Sequence, residues 1–486
     1  MPSIRRPQYP TFVSRARCWI VALLAISPAV TFAQSTPAVS TLVAFSGSQP
    51  AGTPVFGPDG ALYGMTSIVN TVTGGLVYRL ASDGSGIRTV YSLKITDGYS
   101  PAGGVLLGSD DLLYGTTIFG SSNVLNSSGT VFSVSPSGAR FTVLRSFAPY
   151  TLIVVDGINY PTNADGVAPS TELVEGSDGY LYGVTSAGGP NGTGVVFKIS
   201  RDGTDFAVLH AFGPVTDEPD LPGQTGDPDV PPINADGIGA SAPLLAAVDG
   251  HLYGVATAGG PNGAGTIFRV RPDGSEFAVV YSFPTLVENS SGNLINAGGG
   301  NPLAGLTDGE DGRLYGVTSQ GGSTGFGTLF ALDPVGGVYT VLHQFDGPTG
   351  RQPEGELLLG LDGRLYGTTA FGGEDWSASN SGYGTIFVIA RDGTGFTRLH
   401  SFNFNDGFRP SGRLLQTDAS TFIGVTQAGA RCEQGSVFQF SLTGAKVDGV
   451  TNCGRRKNNN NGGGGVTPAL LLLLATAAVA RRRGAD

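Results

Sequence analysis

The stretch GRLYGVTSQGGSTGFGTLF, residues 312–330, decides the fold, because near-copies of it recur along the chain. Each copy carries Leu-Tyr-Gly, and successive tyrosines lie 51, 68, 71, 62 and 51 residues apart. A seventh, degenerate copy reads Phe-Ile-Gly at residues 422–424. The six tyrosines are Tyr63, Tyr114, Tyr182, Tyr253, Tyr315 and Tyr366. A constant core with loops of variable length predicts one structural unit used seven times.

Each repeat contains four short runs rich in β-branched and aromatic residues. In the sixth repeat these runs are ELLLGL, RLYGTT, GTIFVIA and GFTRLHSF, with Asp-Gly after the first and after the third. Such runs suit half-buried strands, and Asp-Gly between strands predicts a type I′ hairpin turn. Four antiparallel strands per repeat are typical of propeller blades. The sequence therefore predicts an all-β fold, a seven-bladed β-propeller of four-stranded antiparallel blades over residues 34–445.

The two ends of the repeat region predict how the last blade is completed. The seventh repeat lacks a good fourth run after residues 435–441, whereas residues 39–52 resemble a fourth run that precedes the first repeat. We therefore expect the N-terminal strand to close the last blade, because an unpaired strand edge is a liability. The alternative is that residues 445–453 fill this place.

Residues 1–33 have the pattern of a secretory signal peptide. Four arginines precede the apolar run CWIVALLAISPAV, and Thr31-Phe32-Ala33 supplies the small residues of a cleavage site. We expect signal peptidase to cut between Ala33 and Gln34. The alternative is a retained membrane anchor, for which this apolar run is short.

The C-terminus combines a polar linker, residues 446–461, with a glycine-rich segment, residues 462–486. In that segment VTPALLLLLATAAVA and then RRRGAD follow the glycines Gly462, Gly463, Gly464 and Gly465. This order resembles the GlyGly-CTERM sorting signal. The resemblance implies a transient membrane anchor, cleavage near the glycines by a rhombosortase-like protease, and type II secretion from a Gram-negative cell. The alternative is a membrane tail that is kept. Both predict an extracellular or cell-surface protein.

The repeated phrase itself, LYGTT…GG…GTVF, resembles the GloVer tandem repeat over nearly all of residues 39–445. That repeat occurs in bacterial extracellular proteins with varied C-terminal anchors. The resemblance implies a repeat fold and an exported protein, and it implies no catalytic residue.

Charge and cysteine content narrow the possible partners and the compartment. The formal net charge is −10, and no basic stripe is present to neutralise phosphates, so we expect no nucleic-acid partner. Cys432 and Cys453 are the cysteines outside the signal peptide. In an oxidising compartment two cysteines predict one disulfide, with free thiols as the alternative.

The recurring histidines and aspartates do not predict a catalytic or metal site. His210, His343 and His400 share one position of the fourth run and should spread around a ring, whereas metal ligands must converge. Aspartates recur at the turns, where they bond to their own backbone. Those of the first turn are Asp59, Asp178, Asp249, Asp311 and Asp362. No calcium loop, nucleophile elbow or phosphate loop is found. The sequence therefore implies no cofactor, and Ca²⁺ has no motif of its own.

The longest insertions fall on one face of the predicted propeller. They are the links 148–170, 213–242 and 284–301 between repeats and the loops 119–129 and 371–384 within repeats. Binding residues concentrate on such loops above a rigid scaffold. Trp376 and Tyr383 lie in loop 371–384 among serines and asparagines, where an exposed ring would stack on a sugar. The alternative is that Trp376 packs onto its own blade.

The link 213–242 also carries an acidic cluster, Asp217, Glu218, Asp220, Asp227 and Asp229. It is interpreted either as a divalent-cation site or as a solvated loop stiffened by proline.

Three functions follow from this sequence. The first is a non-catalytic binding module that recognises a carbohydrate or an envelope protein through the loop-rich face. The second is a propeller enzyme acting on extracellular polysaccharide, which a deep axial pocket with two or more carboxylates would favour. The third is a passive structural surface protein.

Overall fold

Strands and turns make up the part of the chain that the computed structural model describes, which is residues 36–68, 74–120, 127–155, 157–216, 232–377, 379–430 and 434–445. In these ranges one 3-10 turn, Ile95–Asp97, is present and no α-helix. No described helix is both long enough and apolar enough to span a membrane.

The described strands form seven four-stranded antiparallel sheets, named sheets 1 to 7 below in chain order. The first strand, β1 (Ala38–Ala44), belongs to sheet 7. Sheet 1 contains β2 (Ser48–Phe56), β3 (Leu62–Ile68), β4 (Leu76–Leu80) and β5 (Arg88–Ser92). Sheet 2 contains β6 (Leu106–Leu107), β7 (Leu113–Thr117), β8 (Thr130–Val134) and β9 (Phe141–Ser146). A separate hairpin, β10 (Thr151–Val155) and β11 (Ile158–Thr162), follows.

Sheet 3 contains β12 (Val174–Glu175), β13 (Leu181–Thr185), β14 (Val195–Ile199) and β15 (Phe206–Ala211). Sheet 4 contains β16 (Leu245–Ala246), β17 (Leu252–Ala256), β18 (Thr266–Val270) and β19 (Ala278–Ser282). A second added hairpin is β20 (Val287–Glu288) and β21 (Leu294–Gly300).

Sheet 5 contains β22 (Thr307–Asp308), β23 (Leu314–Thr318), β25 (Thr328–Leu332) and β26 (Tyr339–Gln344), with β24 (Gln320–Gly322) pairing instead to β21. Sheet 6 contains β27 (Leu358–Leu359), β28 (Leu365–Thr369), β29 (Thr385–Ile389) and β30 (Thr397–Ser401). Sheet 7 contains β31 (Phe408–Gln416), β32 (Thr421–Ala428) and β33 (Ser436–Ser441), and β1 is its fourth strand.

The Leu-Tyr-Gly phrase has a packing reason at each position. In sheet 5, Leu314 and Tyr315 are buried, and Gly316 faces the ring of Phe330 on the paired strand β25. A methyl group added at Gly316 would lie 2.5 Å from Phe330 Cζ, so any larger residue would displace that ring. The same glycine–aromatic contact occurs in the other six sheets. The phrase is therefore repeated because each sheet needs this close contact.

A β-bulge recurs between the third and fourth strands of every sheet. In sheet 5 the register of β25 and β26 shifts between Leu329 and Phe330. Equivalent shifts occur in the other six sheets, including the pairing of β33 with β1. A bulge increases local twist and bends the strand. The fourth strand of each sheet is therefore twisted relative to the third strand in the same manner.

Apolar clusters join each sheet to the next one. Tyr315 of sheet 5 and Leu365 of sheet 6 share one cluster, for example. The cluster around Leu42 and Val437 of sheet 7 also contains Leu62 of sheet 1. The first and last sheets therefore pack against each other, and β1 takes part in that contact.

The predicted type I′ turns are wrong. At these described turns positive φ falls on the glycine, such as Gly312 at +81°, and not on the preceding aspartate. The reason is that the aspartate has two other bonds to make: Asp311 Oδ1 accepts from the Arg313 amide at 3.1 Å, and Oδ2 accepts from the Tyr315 hydroxyl at 2.8 Å. A tight turn with a single left-handed glycine leaves the aspartate side chain free to do both.

Candidate functional site

The segments at the first strands of neighbouring sheets contact one another, and we call them the innermost segments. They precede the first strand in sheets 2 to 6 and lie within it in sheets 1 and 7. They carry a small residue followed by a variable one, as in Gly103-Gly104 or Gly355-Glu356. A methyl group added at Gly103 would lie 2.4 Å from the Glu172 amide nitrogen of the next sheet. Thr53 Oγ1 of sheet 1 donates to the Arg413 carbonyl of sheet 7 at 2.5 Å. Contacts this close leave the predicted first strands short, two residues in sheets 2 to 6.

Three charged side chains occupy the variable position of these innermost segments. They are Glu172 of sheet 3, Glu356 of sheet 6 and Arg413 of sheet 7, and we call them the axial cluster. Arg413 Nη1 lies 3.4 Å from Glu356 Oε1. Glu172 Oε2 lies 2.7 Å from the point where a Cβ at Gly104 would be, so the glycine makes room for this carboxyl.

The environment of the axial cluster favours a neutral Glu172. The pKa of Glu172 is raised to about 7, chiefly because the carboxyl is buried; Arg413 opposes this shift and Glu356 adds to it. Burial also raises the pKa of Glu356, which its contact with Arg413 opposes. A buried carboxylic acid with a pKa near neutrality is the kind of group that general acid–base chemistry uses.

A second group lies on the face that carries the inter-sheet links. We call it the arginine–aromatic surface: Phe326, Arg351, Phe371, Arg409 and Glu354. The Arg351 guanidinium carbon lies 4.7 Å from the Phe326 ring centroid and 5.9 Å from that of Phe371. The Arg409 guanidinium carbon lies 5.9 Å from the same Phe371 ring. Cations over ring faces are attracted by the ring quadrupole.

Backbone bonds hold this surface in place. The Arg351 amide donates to the Phe371 carbonyl at 2.9 Å, and the Gln352 amide donates to the Phe326 carbonyl at 2.8 Å. Arg409 Nη2 lies 3.0 Å from Glu354 Oε2, which joins the segments of sheets 6 and 7. The rings and guanidinium groups therefore keep fixed positions on rigid elements.

Trp376 lies at the border of this surface. It is half-buried, its ring meets the Phe326 ring edge-on at a centroid distance of 6.0 Å, and it packs over Gly347. Tyr383, in the same loop, packs instead towards Phe408, with ring centroids 5.8 Å apart. The two predicted residues therefore contact different neighbours. Trp376 is partly accessible as a residue, although its ring packs over Gly347.

Neither the axial cluster nor the arginine–aromatic surface is predicted from the sequence. Aligning the repeats on the proline three residues earlier, which is Ala240 in the fourth repeat, places Glu172, Glu356 and Arg413 at one position. In the other repeats this position is occupied by Thr53, Gly104, Pro243 and Gly305. Charged residues at a position that is uncharged in the other repeats are a visible signal. No local pattern connects Phe326 with Arg351, because their contact depends on the packing of successive sheets.

The histidines have structural partners. His210 Nε2 lies 2.8 Å from Asp236 Oδ2, and His400 Nε2 lies 3.1 Å from Asp406 Oδ2. His343 stacks on the Phe396 ring, and burial lowers its pKa. Among the described residues no three His, Cys, Asp or Glu side chains converge as metal ligands would.

The opposite face, which carries the Asp-Gly turns, has a shallow cleft lined by Ser109, Glu175, Asp178 and Arg201. Its charged groups satisfy each other. Ser109 Oγ donates to Glu175 Oε1 at 2.7 Å, and Arg201 Nη1 lies 3.4 Å from that oxygen. This cleft therefore offers no unpaired charge to a ligand.

Several predicted residues lie outside the described ranges. They are Ala33, Gln34, the acidic cluster 217–229, Cys432, Cys453 and Gly462 to Gly465. The predicted signal peptide, disulfide, linker and sorting segment stay predictions.

Seven four-stranded antiparallel sheets in the described residues, all built from one phrase, define an all-β tandem-repeat protein. Residues 29–224 and 230–376 match the model of the Gloeobacter/Verrucomicrobia repeat family, and the chain belongs to this family. The resemblance to the GloVer repeat is thereby confirmed. The chain matches none of the curated proteins.

Solved structures to which this chain is similar include an oligogalacturonate lyase, a xyloglucanase and a nidogen/laminin complex. An oligogalacturonate lyase from Vibrio parahaemolyticus is 12% identical, over 84% of this chain and 97% of that chain, with a TM-score of 0.47. The GH74 xyloglucanase from Xanthomonas campestris is 14% identical, over 80% of this chain and 52% of that chain, with a TM-score of 0.46. A chain of a nidogen/laminin complex is 14% identical, over 72% of this chain and 96% of that chain, with a TM-score of 0.38. Likenesses at these identities and TM-scores say nothing about what this chain binds.

Proposed function

We propose that the seven sheets are the blades of a closed β-propeller, and that this propeller is a non-catalytic carbohydrate-binding module of an exported protein. Support for the ring comes from the apolar clusters that join successive sheets, including the cluster that joins sheet 7 to sheet 1. In a ring of this kind the inter-blade links and the loops between second and third strands share one face. The arginine–aromatic surface belongs to that face.

The observation that carries the binding role is the arginine–aromatic surface with Trp376 at its border. Aromatic rings offer apolar faces to the C–H groups of a sugar, while guanidinium groups donate hydrogen bonds to its oxygens. Except for Arg409, which lies in β31, these groups lie on loops above packed sheets, where binding residues commonly occur. No comparable set of rings and unpaired donors is found in the cleft on the turn face.

A glycan screen tests this proposal. Purified exported protein would be run through affinity gels that contain neutral or acidic polysaccharides, with calcium and with chelator, and product release would be assayed in parallel. We expect retardation without products, and at least tenfold weaker binding in Trp376→Ala. The matched control is Leu361→Ala, which removes a side chain that is 77% exposed on the turn face. No retardation by any glycan would overturn the proposal and favour a protein partner or a structural role.

A second candidate function is a polysaccharide-cleaving enzyme, and the axial cluster favours it. Glycoside hydrolysis uses one protonated carboxylic acid and one carboxylate. The pKa of Glu172, raised to about 7 chiefly by burial, lets that residue carry a proton up to neutral pH. Glu356 would be the carboxylate. New reducing ends or unsaturated products, abolished by Glu172→Gln, would support this function. Retention without products would count against it.

We also propose export with removal of both ends. The basic and apolar segments before Ala33 and the glycines Gly462 to Gly465 support this, as does the resemblance of the C-terminus to a sorting signal. Intact-mass analysis of the protein from culture medium tests it. A mass that corresponds to residues 34 to about 465 is expected, with two hydrogens fewer if Cys432 and Cys453 form a disulfide. A full-length mass in the membrane fraction would contradict it.

A further inference from the structure

Arg351 differs from the other arginines around it in having no acidic partner. Arg409 pairs with Glu354, Arg398 with Glu374 and Arg413 with Glu356. Within the described residues the Arg351 side chain has no hydrogen bond or ion pair, and its Nε is buried without a partner. A buried donor without a partner is destabilising unless something satisfies it.

The two phenylalanine rings fix the direction of this guanidinium. Phe326 and Phe371 lie 4.7 and 5.9 Å from its central carbon, and Arg351 as a residue is half-buried. An arginine held between rings loses little conformational freedom when it binds, because its planar fork is already oriented. The fork matches a carboxylate, to which it donates two parallel hydrogen bonds.

The negative net charge of the whole chain bears on how the Arg351 guanidinium would recognise an anionic ligand. With a formal net charge of −10, the protein as a whole repels anions rather than attracting them. Recognition of an anionic ligand must then come from a specific group. Arg351 supplies that group, and the flanking rings supply the apolar contacts that a sugar ring needs.

Resting on the proposed carbohydrate-binding function, we propose that Arg351, between Phe326 and Phe371, binds the carboxylate of a uronic-acid residue in an acidic polysaccharide. The carboxylate accepts hydrogen bonds from the guanidinium, and the sugar ring lies against a phenylalanine ring. Binding at this site involves no covalent step.

The test compares polygalacturonate with the same polymer after complete methyl esterification, by calorimetry on the exported protein. We expect at least tenfold tighter binding to the unesterified polymer, a loss of that preference in Arg351→Gln, and partial retention in Arg351→Lys. The matched control is Arg364→Gln, whose guanidinium carbon lies 5.8 Å from the Tyr366 ring on the turn face of sheet 6. Thermal unfolding of each variant verifies that it is folded.

The outcomes separate this inference from the proposed function. Equal affinity for the two polymers, or for dextran sulfate and polygalacturonate, would overturn the uronate proposal and leave carbohydrate binding intact. Equal loss of affinity in Arg351→Gln and Arg364→Gln would also overturn it. No affinity for any glycan would overturn both.

Discussion

The hydroxyl of Tyr315 donates a hydrogen bond to Asp311 Oδ2, 2.8 Å away. The tyrosine belongs to the repeated Leu-Tyr-Gly phrase and the aspartate to the Asp-Gly turn before it, so the bond ties each turn to the strand that follows. The same pair occurs in sheets 1 to 6. Sheet 7 has Phe422 at the tyrosine position, and Asp418 bonds to Ser420 instead. Burial and the aspartate together raise the pKa of Tyr315, so this hydroxyl stays protonated.

Tyr315→Phe should lower the free energy of unfolding by about 1 kcal/mol, the net worth of an ordinary hydrogen bond. The effect stays moderate because Asp311 keeps its bonds to Arg313. Urea denaturation measures it. The control is Tyr383→Phe, since the Tyr383 hydroxyl has no hydrogen bond within the described residues. Equal changes in the two variants would contradict the role given to the pair.

Glu172 should make the fold less stable as the pH rises from about 4.5 to 7. Burial raises its pKa in the folded protein to about 7, whereas the unfolded chain releases this proton near the ordinary value of 4.5. The contribution of the protonated Glu172 side chain to the free energy of unfolding is therefore fully present below pH 4.5 and lost as the pH passes through 7. The difference between the folded and unfolded pKa values of Glu172 corresponds to a loss of up to about 3 kcal/mol in the free energy of unfolding. Denaturation of wild type and Glu172→Gln at several pH values measures the difference.

In Glu172→Gln that part of the pH dependence should disappear, because glutamine does not titrate. The variant should also be more stable than wild type above pH 7. Parallel stability curves for the two proteins between pH 4.5 and 8 would refute the assignment. Glu175→Gln, on the turn face, is the matched control.

Leu42→Ala should destabilise the protein by about 2 to 5 kcal/mol, the usual cost of a cavity at a buried leucine. Leu42 is fully buried, and its cluster includes Val437 of sheet 7 and Leu62 of sheet 1. The same substitution at Leu361, which is exposed, should change little. A small effect at Leu42 would mean that β1 does not hold the first and last sheets together.

The strand content of each repeat is predictable from the sequence because it is encoded locally. Turn residues bound each run, and the missing fourth run of the seventh repeat points to the N-terminal strand, which pairs as β1 with β33. The positions of the long links are predictable for the same reason. Two of them form the hairpins β10–β11 and β20–β21.

The candidate sites are not encoded locally. Glu172 and Arg413 come from sheets 3 and 7, and Arg351 lies between rings from sheets 5 and 6, so their proximity follows from how the sheets pack. Trp376 was predicted from its polar neighbours in the sequence, which do not reveal that Phe326 and Gly347 lie against it. The turn type was mispredicted because the tyrosine that engages each aspartate lies in the strand and not in the turn.

The most direct test of the account is amide hydrogen exchange of the exported protein with and without saturating oligogalacturonate. Binding at the arginine–aromatic surface predicts slower exchange in residues 324–328, 349–353 and 369–373. Residues 107–111 and 176–180, on the turn face, should exchange unchanged. Protection confined to the turn face, or no protection anywhere, would contradict the account.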